Sequence, residues 1–529
     1  MTTDNNENIN NENSSQENIT SKGSGKSAKK NYLFNLAYQI FSLIVPLIVT
    51  PYTSRILTSE GIGKYSFAMS LIMYFTLFGS LGFSYYAQRA IAKHQGDAKT
   101  QSKIFWEINI CRLLPVSIAL ITNVILCMTN VYGDYTFLMW VFSINVAALA
   151  FDISFFYQGN EEFGKLLVRN LIINISSIVA IFLLVKKSSD LWIYALINSS
   201  AVLLSGAFMW AFGLKHLVRV DIKSLRPFSH LKGTLILFLP TIAVSIYTIL
   251  DKTLIGVIIS GETTQTLSDG TVKIIKNSDL QNGYYEQAEK MVKMTLTVLT
   301  SLGVVMVPRN SFYFQTKNYD QARENIYKAI DFVIFLGIPL MFGIMGVAFN
   351  FSPWFFGEGY EEVPYVILAL APLILAIGFN NIFGIQYLIP IGKDFIYTIS
   401  VIIGAVSNLV LNLVLIPFFG ARGAAIASVI AESAILLFQM IYSRHFFSYK
   451  RFIFPFIRNL LIGGAMFVGV FLLSRHVFAP SIPNTLLLIV IGASFYMLML
   501  LIVRDKFLFY ILSLLKNKIL AIKGKAKKE

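Results

Sequence analysis

Between Tyr32 and Val503 the chain is an almost unbroken train of apolar stretches, each about 20 residues long, joined by short polar connections. Hydrocarbon offers no hydrogen bond to a peptide group. A stretch of that length and composition must therefore satisfy its backbone internally, as an α-helix. With 55% hydrophobic and only 14% charged residues, the chain lies outside the balance of soluble globular domains. It reads as an all-α integral membrane protein. Crossings are expected at 32–55, 62–87, 104–129, 135–157, 166–185, 190–212, 234–259, 286–308, 328–351, 363–389, 395–418, 423–443, 453–474 and 483–503, about fourteen in all.

The charge pattern orients these segments. The chain carries a net charge of +15, and its basic residues crowd into alternate connections. Arg89, Lys93, Lys99 and Lys103 follow the second segment, and Lys215, Arg219, Lys223, Arg226 and Lys232 follow the sixth. By this reading one side holds about 32 Lys and Arg, the other about 8. Positive loops stay in the cytoplasm, so both termini are expected there, with an even number of crossings of the cell membrane. This placement encodes topology rather than a nucleic-acid surface, and no nucleic-acid partner is expected.

The ends are unlike the middle. Residues 1–30 are rich in Asn, Glu, Ser and Lys and are expected to form a disordered cytoplasmic tail, with the first apolar run acting as an uncleaved anchor. Residues 506–529 mix Leu, Ile and Phe with Lys, as in an amphipathic helix lying on the anionic inner leaflet. Cys111 and Cys127 share one segment and would sit roughly 24 Å apart on a helix, too far for a disulfide. The histidines show no ligand spacing, so neither a metal nor another cofactor is expected. The longest outer connection, Ser260 to Tyr284, is polar and too short for a folded outer domain.

Two short patterns recur in order. Gly63-Lys64-Tyr65-Ser66-Phe67-Ala68 and Gly283-Tyr284-Tyr285-Glu286-Gln287-Ala288 both read G-x-Y-x-x-A. Gln158 to Gly164-Lys165 and Gln386 to Gly392-Lys393 both read Q-x5-G-K. Each copy is displaced by six segments, which points to a six-plus-six duplication with both halves in the same orientation. The expected organisation is a half over 31–228, a second over 229–448, two further helices over 449–505, and the terminal tails.

Ionisable side chains inside apolar segments cost several kcal/mol unless paired or watered, so each is a candidate functional group. Arg112 and Asp152 fall in the third and fourth segments, Asp251 and Lys252 in the seventh. Glu286, Glu289, Lys290 and Lys293 open the eighth, and Glu432 sits within the twelfth. Lys252, Lys290 and Lys293 lie at similar depth, so Asp251, Lys252, Glu289, Lys290 and Lys293 could share one hydrated chamber. Glu286–Lys290 and Glu289–Lys293 also have the i,i+4 spacing of ordinary helix ion pairs, and the two readings stand level. Arg112 either neutralises Asp152 or faces a cavity that attracts an anion. Glu432 reads as a packing group or a titratable carboxylate.

Several motifs resemble a known family. Pro51-Tyr52-Thr53-Ser54-Arg55-Ile56-Leu57, running on to Gly61-Ile62-Gly63-Lys64-Tyr65-Ser66, looks like the first loop of the polysaccharide transport family. These are the Wzx-like flippases of O-antigen, capsule and exopolysaccharide repeat units, within the MOP superfamily. Phe156-Tyr157-Gln158-Gly159-Asn160-Glu161 resembles another of that family's elements. So does the series Pro240, Tyr247-Thr248-Ile249-Leu250-Asp251-Lys252, Gly256 and Gly283-Tyr284-Tyr285. The resemblance implies a MATE-like fold, with two six-helix lobes around a central cavity and two extra C-terminal helices, working by alternating access. Its implied cargo is an undecaprenyl-pyrophosphate-linked oligosaccharide, with membrane lipids, a polysaccharide polymerase and other glycan-assembly proteins as partners. A diphosphate needs cations in a low-dielectric site, and Arg112, Lys252, Lys290 and Lys293 could supply them, with Arg55 and Arg89 at its exit and entry. Asp152, Asp251, Glu289 and Glu432 would then balance charge or couple transport to an ion.

Other readings predict other residues. A cation-coupled multidrug extruder of the same fold would line its cavity with acids, and a lipid II flippase would differ in cargo alone. A membrane polymerase or glycosyltransferase needs an acid/base constellation on a sizeable polar region, and the sequence contains none. A transporter, not an enzyme, is the expectation.

Overall fold

The computed structural model describes residues 44–213, 217–266 and 272–525. The expected N-terminal tail lies outside them. Each expected apolar segment is helical over most of its described residues. Among the described residues, ten helices are long and apolar enough to cross a membrane. The count becomes eleven when Asn277–Ser301 and Met306–Gln315, bent by 40° across a short break, form one span. The protein is an all-α membrane protein.

The helical stretch Ile44–Ala92 contains 49 residues. Straight, it would measure about 73 Å, over twice the hydrocarbon thickness. Its backbone is left-handed at Thr58 (φ 61°) and again at Leu81 and Gly82, so it has the length for two crossings and the breaks to separate them. Two other expected segments are also discontinuous. Helix Thr136–Ala148 stops short, and the chain re-forms a helix only at Ser154–Gly159. The segment beginning at Val363 breaks before Pro372 and winds as a π-helix over Asn381–Leu388. Proline explains the second break, since it removes a donor and crowds the preceding turn. No Gly or Pro marks the first.

The chain divides into two compact units. One contains Ile72–Leu239 and the described residues up to Thr50. Its core is aromatic: Phe105 meets Trp106, Phe155, Phe156 and Trp210 at ring-centroid distances of 5.4–5.9 Å. Two aromatic polar tips find backbone partners within it. Tyr157 donates to the Met209 carbonyl at 2.7 Å, and the Trp210 indole donates to the Phe151 carbonyl at 2.9 Å. Cys111 and Cys127 are both free and buried on helix Ala98–Met128.

The other unit contains Pro51–Leu71 and everything from Pro240 onward. Here the two G-x-Y-x-x-A glycines meet. A Cβ on Gly63 would sit 1.7 Å from the Asp279 carbonyl oxygen, and one on Gly283 would sit 2.1 Å from that of Ser59. The repeated glycine is thus a reciprocal contact of backbone on backbone, the device by which membrane helices approach closely. Helices Lys450–His476 and Ile482–Ile502 turn large apolar residues such as Leu461, Phe454 and Leu498 outward. That is a surface suited to lipid.

Two connections acquire structure of their own. The polar connection after Ile259 forms an antiparallel pair, Glu262–Thr266 with Val272–Lys276, in the register Glu262 opposite Lys276. The C-terminal tail forms helix Lys506–Lys525. Asp505 caps it, accepting from the amides of Phe507 (3.0 Å) and Leu508 (2.9 Å) and pairing with Arg458.

Candidate functional site

Lys252 stands on helix Leu231–Ile258, facing the opening turns of helix Asn277–Gln315. Its ammonium lies 2.5 Å from Glu286 and 2.9 Å from Glu289. Both i,i+4 pairs also form, Lys293 with Glu289 at 2.7 Å and Lys290 with Glu286 at 3.8 Å. Ser66 adds a hydroxyl hydrogen bond to Glu286 at 2.9 Å. The two sequence readings therefore merge, because the helix pairs exist and Lys252 joins them into one network. Three ammoniums meet two carboxylates, leaving one positive charge in excess. Lys293 is the most open of the five, with just over half its side chain exposed.

Asp251 faces elsewhere, since successive helical residues point about 100° apart. It is buried, and four neutral donors surround it. Asn412 donates at 2.7 Å and Asn408 at 3.0 Å, both from helix Asp394–Phe419, and the hydroxyls of Tyr285 and Ser428 complete the set. Asn412 also donates to the Asn408 side-chain oxygen at 3.0 Å, while its own amide oxygen has no partner. Two amide N–H groups, a serine hydroxyl and a phenol thus converge on one buried carboxylate. Among the described residues no three His, Cys, Asp or Glu side chains cluster as a transition-metal site would require.

The remaining candidates are dispersed. Arg112 is buried and donates to the Asp152 carbonyl, the Ala150 carbonyl (2.8 Å) and the Asn109 side chain. It holds the break after Ala148, where helix carbonyls lose their intrahelical donors. Asp152 does not meet it through its carboxylate, which instead accepts from the Ser154 amide at 2.9 Å. Arg55 donates to Pro51 (3.0 Å) and Trp354 carbonyls and packs against Gly357. Arg89 is exposed in the last turn of Phe83–Ala92. Glu432 is buried and accepts from the Asn380 amide at 2.6 Å. Of the ten candidates, Lys252, Glu289, Lys290 and Lys293 form one network and Asp251 backs onto it. Arg55 and Glu432 make other contacts within the same unit, and Arg89, Arg112 and Asp152 belong to the other unit.

Of the four residues around Asp251, Asn408, Asn412 and Ser428 escaped the sequence reading, and Tyr285 entered it only as part of two motifs. A signal existed, because Asn408 and Asn412 are amides at i,i+4 in a helix that is otherwise almost wholly apolar. Neutral groups do not stand out in a search for charges.

Comparisons with known proteins give the family and the fold. Residues 28–314 match the family model described as polysaccharide biosynthesis protein. A putative O-antigen transporter of Escherichia coli K12 is 23% identical over 430 residues, covering 79% of this chain and 97% of that protein. Among solved structures, a lipid II flippase MurJ in an inward closed conformation superposes with a TM-score of 0.70 at 17% identity, covering 89% of this chain and 99% of that one. An inward-facing MATE multidrug resistance transporter of the MOP superfamily gives 0.56 at 14%, covering 81% and 98%. These structural likenesses fix the fold as that of MurJ and the MATE transporters.

Proposed function

The chain belongs to the polysaccharide biosynthesis protein family, and on that premise we propose that it moves undecaprenyl-pyrophosphate-linked oligosaccharide repeat units from the inner to the outer leaflet by alternating access. It is a transporter of the MOP superfamily rather than an enzyme. The observation that carries the reading is the half-buried Lys252–Glu286–Glu289–Lys290–Lys293 network with its excess positive charge. A diphosphate can displace the carboxylates from Lys252 and Lys290, exchanging one set of charge-assisted hydrogen bonds for another. Glu289 then keeps Lys293 and Glu286 keeps the Ser66 hydroxyl, so neither displaced carboxylate is left without a partner.

Asp251 is the coupling group in this proposal. Its oxygen-rich surroundings suit a proton on the carboxylate or, with the amides turned, a small hard cation such as sodium. Its backbone neighbour Lys252 belongs to the cargo network, so loading one site bears directly on the helix that carries the other. Both termini lie in the cytoplasm by the distribution of Lys and Arg, and the two halves of six segments form the transport unit. The cation-antiporter alternative predicts a net acidic network, whereas the one present is net basic.

The test is export in cells lacking the native gene. Lys252→Ala and Asp251→Asn should reach the membrane in normal amounts yet leave lipid-linked repeat units on the inner leaflet. Normal surface glycan in both variants would remove the assignment.

A further inference from the structure

At one end of the second unit, helix Ile338–Phe356, the loop to Val363 and the end of helix Lys450–His476 enclose two adjoining cavities of about 300 and 380 Å³. Phe349 and Arg475 line both. Arg475 is exposed, with its guanidinium carbon 4.7 Å over the Phe349 ring centroid. Among the described residues no carboxylate or carbonyl takes its N–H groups, so the five donors of its planar fork are open to a ligand. Glu358 lies on the wall of the smaller cavity, exposed, and forms no ion pair with Arg475 or with any other described residue. Beside it Glu361 accepts only from the Gly359 amide, at 3.0 Å. Ser352 and Ser474 line one cavity each, and both buried hydroxyls lack a protein partner.

A guanidinium and a carboxylate held apart on one cavity wall form a receptor for a ligand with both signs of charge. We propose that these cavities bind a zwitterionic phosphate–ammonium group, the phosphate on Arg475 and the ammonium on Glu358. The guanidinium fork matches phosphate oxygens, and a primary ammonium donates well to a carboxylate. The volumes lie at the small end of the ligand-pocket range, enough for a headgroup but not for acyl chains. Chains have a place against the exposed apolar side chain of Val477, on the wall of the larger cavity. The same chemistry occurs on the headgroup of phosphatidylethanolamine and on a phosphoethanolamine substituent of a glycan. The site is separate from the Lys252 network and does not depend on the cargo.

Native mass spectrometry of the purified full-length protein tests this with defined probes: phosphatidylethanolamine, phosphatidylglycerol and soluble O-phosphoethanolamine. The unaltered protein should retain phosphatidylethanolamine about tenfold better than phosphatidylglycerol, a difference of about 1.4 kcal/mol. Arg475→Ala should abolish that retention, and Glu358→Gln should erase the preference by weakening the zwitterion alone. Arg475→Lys, which keeps the charge without the fork, should fall between. Unfolding temperatures of the lipid-free variants separate lost binding from lost folding. Displacement by O-phosphoethanolamine at equal concentration identifies the source as a soluble or glycan-borne group, and resistance to displacement identifies a lipid. Equal retention of both lipids by the unaltered protein, or full retention in a folded Arg475→Ala variant, would overturn the proposal.

Discussion

Asp251 and Lys252 share a peptide bond, yet their side chains enter separate polar networks. The division has energetic consequences. Truncating Lys252 leaves Glu286 and Glu289 facing one another with only Lys290 and Lys293 to hold them. Breaking a buried pair from one side costs about 3–5 kcal/mol. Lys252→Ala should therefore lower the unfolding temperature in detergent, whereas the triple variant Lys252→Met, Glu286→Gln, Glu289→Gln should recover much of it. Neither should export glycan, and export by the triple variant would show the charges to be structural only. Arg112 makes a different prediction. Its guanidinium satisfies two carbonyls at a helix break, so Arg112→Ala should destabilise the first unit by on the order of 3 kcal/mol, and Arg112→Lys should not rescue it for want of the fork. Substrate affinity measured on the surviving folded protein should be unchanged. Charge inside an apolar run was legible in the sequence. Which partner each charge takes was not, because Asp152 and Arg112 meet through a backbone carbonyl that no residue pattern records.

At the scale of elements, apolar length alone located the helices, since hydrocarbon leaves the backbone no alternative. Their interruptions were less visible. Pro372 signals one break, but the turn after Ala148 carries neither Gly nor Pro and is held from outside by Arg112. The strand pair after Ile259 was likewise hidden in a polar connection, where β-branched residues such as Thr263 and Ile275 alternate only briefly. The repeated glycines were visible as a pattern but not as a contact. Gly63→Ala or Gly283→Ala would force a methyl group into the opposing backbone, where nothing can yield without moving a helix. Each should reduce the yield of folded protein and cost about 1–3 kcal/mol or more in stability, measured by thermal unfolding. Alanine at Gly464, which has open space, should be neutral.

Across the whole molecule, the fold and the cargo network follow from one constraint, the exclusion of unsatisfied polar groups from hydrocarbon. That constraint made the class of protein readable from composition and charge placement, and it makes a mixed ion network credible as a carrier of diphosphate. Topology is testable separately. A reporter that is active only outside the membrane should be silent when fused after Glu529 and active when inserted between Ser260 and Lys276. The central claim is translocation itself. Purified protein in liposomes, with undecaprenyl-pyrophosphate-linked oligosaccharide confined to one leaflet, should deliver the glycan to a glycosidase on the other side, and Lys252→Ala should not. Equal delivery by both proteins, or by liposomes without protein, would contradict the account.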